Sequence, residues 1–148
     1  DLTALGLEAD VFNRQGFVPL KYSLTGKELF DAEFFNISPK NAELMDPQYR
    51  LLLELAWSAL EDAGLTPEQV PNTAVFMAAG NNAYKHLLLA SGTATGDDYA
   101  AWLATQAGSI AGMISYQLGF TGPSVAVHSN CSSSLSGLYL AMQCLKRR

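Results

Sequence analysis

The stretch from Ser124 to Leu145 constrains the fold most, because an alternating apolar run stops at Cys131 and a helical pattern begins there. It reads as a strand, a tight turn and a helix. Val125 and Val127 share one strand face, while Leu135, Leu138, Ala141, Met142 and Leu145 recur at spacings of three or four beyond the turn. Cys131 therefore stands at a helix start. Unpaired backbone amides and the positive end of the helix dipole lie there, a setting that favours thiolate and hence nucleophilic sulfur.

A free cysteine is also among the commonest buried small hydrophobes. The flank Ser129-Asn130-Cys131-Ser132-Ser133-Ser134 points the other way, since hydroxyls and an amide fill an apolar core poorly. A sharp, polar, amide-rich corner suits covalent chemistry better.

Five segments carry a resemblance to a known family: Val127-His-Ser-Asn-Cys-Ser-Ser-Ser-Leu135, Phe30-Asp-Ala-Glu-Phe-Phe-Asn-Ile-Ser-Pro39, Met45-Asp-Pro-Gln-Tyr-Arg-Leu-Leu-Leu-Glu54, Ala59-Leu-Glu-Asp-Ala-Gly64 and Gly122-Pro-Ser124. Together they resemble the ketosynthase (beta-ketoacyl synthase) domains of modular polyketide synthases, members of the thiolase-like condensing enzymes. The resemblance runs from Gly16 onward. The family commonly has Asp-Thr-Ala before its Cys-Ser-Ser-Ser-Leu; His128-Ser129-Asn130 is similar to the variant found in assembly lines served by separate acyltransferases.

The resemblance implies an α/β, thiolase-like layered fold built from two similar halves, of which residues 1–148 match the first, through the nucleophile helix. The expected unit is thus a partial ketosynthase domain within a longer polypeptide. By the same likeness Cys131 takes an acyl chain from a carrier-protein thioester, and a malonyl-type extender loses carbon dioxide and attacks it. The Cys131 amide would serve as one oxyanion donor. Two family histidines would follow the nucleophile helix, beyond Arg148, so these residues alone are not expected to condense. Implied partners are the acyl carrier protein, neighbouring synthase domains and a second copy pairing near Ser124 to Ser129. No cofactor is expected on the domain itself; phosphopantetheine arrives on the carrier. The rival readings are a non-condensing half that supports dimerisation or carrier docking, and a cysteine hydrolase pairing Cys131 with His128, which lacks a third group to orient the histidine.

The remaining sequence bounds these readings. Nine basic against fourteen acidic residues give a net charge of −5, which disfavours a nucleic-acid footprint. The one basic run, Lys146-Arg147-Arg148, suits a helix C-terminus. No apolar stretch approaches the ~20 residues of a membrane span, no signal-peptide pattern is present, and the cytoplasm is the expected location. If Cys131 and Cys144 share one helix, thirteen residues separate them by roughly 20 Å, beyond disulfide reach. No cluster of cysteines and histidines suggests a metal site.

Along the chain, residues 1–29 read mostly as loop. Ser38-Pro39 and Asp46-Pro47 are helix starts, and the second helix is expected to run to Gly64 with Leu51, Leu52, Leu55, Ala59 and Leu60 inward. Arg50 is expected to tie neighbouring loops through its donor fork. Thr66-Pro67 starts a short turn, and Thr73 to Ala78 reads as a buried strand ending at Gly80. Gly80, Asn81 and Asn82, just past that strand, are candidate substrate-pocket residues, since ligands of α/β folds lie beyond strand ends. Asn130, beside the nucleophile, is another. His86 is not expected to be a base, and His128 is expected to be packed or hydrogen-bonded in the strand. Gly96 to Phe120 reads as helix, with Gly108 and Gly112 at close packing contacts and Met113 where many relatives carry arginine. Thr121-Gly122-Pro123 then turns into the nucleophile strand.

Overall fold

A computed structural model describes residues 14–18, 24–80, 83–95 and 99–147. Its elements are α1 (Pro39–Leu44), α2 (Pro47–Asp62), β1 (Val75–Met77), α3 (Tyr84–Ala90), α4 (Tyr99–Ala104), α5 (Ile110–Leu118), β2 (Ser124–Ala126) and α6 (Ser133–Lys146). Short 3-10 turns cover Pro67–Gln69, Ala107–Ser109 and Asn130–Ser132. The chemistry of the chain explains where helices begin. The Ser38 hydroxyl accepts from the Asn41 amide at 3.2 Å, and the Asp46 carboxylate accepts from the Gln48 amide at 2.8 Å, with proline next in both cases. Gly64 and Gly119 leave α2 and α5 with φ of 68° and 70°, as chain reversal after a helix requires.

β1 and β2 run parallel, with Val75 opposite Ser124, Phe76 opposite Val125 and Met77 opposite Ala126. Parallel neighbours need a crossover, here supplied by α3, α4 and α5. Successive side chains of β1 leave on opposite sides. Val75 is in the core with Ile110, Ile114 and Leu118, and Met77 packs against it, whereas Phe76 lines a cleft with Ala141 and Cys144 of α6. The small sheet thus lies between α5 and α6. Phe35, Met45, Tyr49 and Leu53 complete the core, and Phe34 and Trp57 meet edge to face at 4.9 Å beside it.

Several expectations need correction. Leu55 is 62 % exposed and Ala59 is exposed, whereas Leu53 is fully buried and Tyr49 nearly so. Arg50, Glu54, Ser58 and Glu61 recur at spacings of three or four on one face of this helix, and the opposite face, with Tyr49, Leu53, Ala56 and Leu60, packs on the core, so Leu55 falls toward the polar edge. The segment 96–120 is not one helix: its residues 96–98 lie outside the described ones, and α4 ends at Ala104. The Thr105 hydroxyl bonds back to the carbonyls of Ala101 and Trp102, and Gln106 is extended, so a new helix starts at Ile110. Gly108 and Gly112 are not close packing contacts, since a Cβ on either would meet nothing within 4 Å. The strands are shorter than expected, three residues each. Of the described part of 1–29, residues 14–18 and 24–29 form turns and irregular chain; the rest lies outside.

Arg50 does not tie loops as expected: its Nε is buried without a hydrogen-bond partner among the described residues. The α6 stripe is largely uncovered among the described residues. Leu135 is 74 % exposed and Leu145 69 %, and Leu138 and Met142 are exposed too, while Gly137 is the buried residue of the helix. A Cβ on Gly137 would lie 3.8 Å from the Val127 side chain, so a residue with almost no bulk sits where α6 meets the end of the sheet.

Candidate active site

Both strands point their C-terminal ends at the turn that carries Cys131. The ladder continues one residue past β2, where the Val127 amide donates to the Met77 carbonyl at 2.8 Å. The backbone then turns sharply, with Asn130 at φ 52°. Cys131 lies in the 3-10 turn Asn130–Ser132, and the α-helix begins two residues later, at Ser133, than the sequence pattern suggests.

The serines of the motif build this corner. The Ser129 amide donates to the Ser133 hydroxyl at 2.8 Å, and that hydroxyl donates to the Asn130 carbonyl at 2.7 Å. The Ser132 hydroxyl donates to the Ser129 carbonyl at 2.8 Å, and the Ser129 hydroxyl to that of Ser136 at 3.0 Å. The polar flank is therefore structural in its local role, closing a turn that leaves the Cys131 side chain exposed. Among the described residues the Cys131 amide has no intramolecular acceptor. An outside oxygen is free to take that N–H, as amides at a helix start allow.

Between the strand ends and the Ala107–Ser109 turn lies a cavity of about 100 Å³ lined by Ala79, Ala107, Gly108, Ala126, Val127 and His128. His128 is exposed and stands beyond β2, with no side-chain hydrogen bond among the described residues, so it is not the packed strand residue expected. Asn130 is exposed beside Cys131. Gly80 follows β1 and is exposed, but does not line the cavity; its neighbour Ala79 does. Asn81 and Asn82 lie outside the described residues. His86 is exposed on α3. Cys144 is part-buried on α6 and lines the cleft with Phe76, in keeping with a packing role.

Sequence reasoning missed Gln48. Its side-chain amide donates to the Gly80 carbonyl at 2.8 Å and accepts from the Gly80 amide at 3.1 Å, closing both backbone groups of one residue. The signal was a glutamine directly behind the Asp46-Pro47 cap, read only as helix start. A larger cavity of about 580 Å³ lies between α1, α4 and α5, lined by Leu44, Tyr49, Leu103 and Met113 among others, without a cysteine or histidine. Among the described residues no three His, Cys, Asp or Glu side chains gather as a metal site, and no helix is long and apolar enough to cross a membrane.

Residues 9–148 match the family model described as beta-ketoacyl synthase, N-terminal domain. Polyketide synthase PksN of Bacillus subtilis is 47% identical over 148 residues, covering 98% of this chain and 3% of that protein. Erythronolide synthase EryA2 of Saccharopolyspora erythraea is 42% identical over 124 residues, 84% of this chain and 4% of that one. A solved structure, ketosynthase twelve from the bacillaene polyketide synthase of Bacillus amyloliquefaciens, superposes with a TM-score of 0.88 at 49% identity, over 96% of this chain and 25% of its own. The chain thus spans a small part of these relatives' length.

Proposed function

The chain belongs to the beta-ketoacyl synthase family, among the ketosynthase domains of polyketide synthases, with the thiolase-like fold, and from that premise we propose that Cys131 is the acyl-accepting nucleophile of a decarboxylative condensation. The observation that carries this reading is the corner itself: an exposed thiol in a tight turn at a helix start, beside an amide that no acceptor among the described residues takes.

In the proposed reaction the thiolate attacks the carbonyl carbon of an acyl thioester borne on the phosphopantetheine arm of an acyl carrier protein. The Cys131 N–H stabilises the oxyanion, collapse breaks the carrier's C–S bond, and the acyl group stays on Cys131. A malonyl-type extender then loses carbon dioxide, and its carbanion attacks the acyl carbon. The new C–C bond forms as the bond to Cys131 sulfur breaks, which returns the thiolate. Histidines that assist decarboxylation belong to the rest of the domain in this reading. Asn130, exposed next to the thiol, is available to the acyl group. The His128-Ser129-Asn130 flank supports the subtype served by separate acyltransferases.

Intact-protein mass spectrometry of the whole ketosynthase domain after incubation with an acyl thioester tests the assignment. Cys131→Ala is expected to abolish the adduct and Cys144→Ala to leave it. A full-sized adduct on the Cys131→Ala protein would refute the assignment. The second reading, a non-condensing half that supports pairing or carrier docking, draws on the exposed β2 edge and the exposed apolar face of α6. A domain that dimerises yet never acylates Cys131 would favour it.

A further inference from the structure

The Asp46-Pro47-Gln48 corner connects to both walls of the small cavity at the foot of the nucleophile turn. On one side the Gln48 amide clamps Gly80 through two hydrogen bonds of 2.8 and 3.1 Å, and Gly80 is bonded in sequence to Ala79, a lining residue. On the other side the Asp46 N–H donates to the Ala104 carbonyl at 3.0 Å, at the end of α4, three residues before Ala107. Ala107 and Gly108 form the opposite lining. The corner is itself rigid: Asp46 is 2 % exposed, and its carboxylate accepts from the Gln48 amide at 2.8 Å and from the Gln48 side chain at 3.4 Å. The Asp46 backbone amide and the Gln48 side chain thus connect the two walls. Ala126, Val127 and His128 complete the lining; Cys131, three positions after His128, does not itself line the cavity.

We propose that Gln48 is a positioning residue: through Gly80, and with Asp46 holding the far wall, it sets the width of this cavity and so the size of acyl group that Cys131 accepts best. The proposal rests on the assignment of Cys131 as the acyl acceptor. The glutamine touches neither the thiol nor the cavity. It acts through backbone, and both hydrogen bonds fall on a residue whose exposed, glycine backbone would otherwise leave the strand end loosely held. The lining is small, mostly alanine and glycine, so a shift of a few tenths of an ångström in either wall changes what fits.

The test uses the whole ketosynthase domain and a competition between acetyl and 2-methylbutyryl pantetheine thioesters, read as the ratio of adducts on Cys131 by intact-protein mass spectrometry. Gln48→Ala and the similarly shaped Gln48→Met are expected to shift that ratio toward the branched group, which is three carbons larger, by roughly tenfold, the low end of what a single methylene gives in an apolar pocket. Gly108→Ala narrows the cavity from the opposite wall, and its new Cβ meets nothing within 4 Å, so it is expected to shift the ratio toward acetyl by a comparable factor. Gln69→Ala is the control for stability alone. Its side chain also bonds a backbone amide, that of Thr66 at 2.8 Å, away from the cavity; it should lower the melting temperature and leave the ratio unchanged.

Wild-type ratios in both Gln48 variants would overturn the proposal, as would a failure of both to fold, which makes Gln48 a structural residue only. An unchanged ratio in Gly108→Ala would remove the cavity from acyl selection and overturn it too. Failure of the parent domain to form any adduct on Cys131 would instead strike the functional reading on which the proposal rests.

Discussion

Asn130 and Gly122 show how single residues fix the backbone around Cys131. Asn130 holds φ at 52°, a conformation that asparagine tolerates better than most side chains and that alanine resists. Asn130→Ala is therefore expected to cost about 1 kcal/mol in the whole domain and Asn130→Gly to cost little, by urea denaturation. If the asparagine also meets the acyl group, both variants will change donor ranking, whatever their stability. Gly122 is required for a different reason. A Cβ there would lie 2.4 Å from the Thr73 carbonyl oxygen and 2.9 Å from the Ala74 amide nitrogen, so the chains leading into β1 and β2 can approach only because it is absent. Gly122→Ala must separate them, and a loss of roughly 1–3 kcal/mol is expected from the same melts. A neutral result would show that these chains yield more than the contact implies.

At the scale of elements, the packing of α2 on α5 brings Tyr49 into the core at 3 % exposure. Burial penalises the phenolate and pushes its pKa from 10.0 up to about 12. The sign follows from proton binding. Below pH 10 the phenol is neutral in both folded and unfolded chains; between about 10 and 12 the unfolded chain loses its proton first, so stability falls as pH rises. Two pKa units correspond to at most ~3 kcal/mol. Denaturant midpoints measured across this window should drop for the wild type, and the drop should be smaller in Tyr49→Phe. An equal drop in both would exclude Tyr49 as its source. The same scale explains the broken helix after residue 98: Thr105 satisfies the end of α4 with its own hydroxyl, and the resulting turn supplies Ala107 and Gly108 to the cavity wall.

At the scale of the whole molecule, β2 has a neighbour on one side only among the described residues, and Ser124, Val125 and Ala126 are exposed. An open strand edge with an apolar residue pairs readily with another strand. The whole ketosynthase domain is expected to be a homodimer at micromolar concentration by light scattering, and Val125→Asp to weaken it. A monomer that still condenses would remove the pairing. Much was legible before any coordinates: the strand, turn and helix around Cys131, both proline-marked helix starts and the family follow from local patterns and motifs. Those features are short-range, since capping, turn chemistry and hydrophobic period act within a few residues. Tertiary structure decided what depends on distant neighbours. The role of Gln48 was set by Gly80, thirty-two residues away. The exposure of the α6 stripe likewise has no local signal, because a helix of given sequence is the same amphipath whether or not anything packs against it.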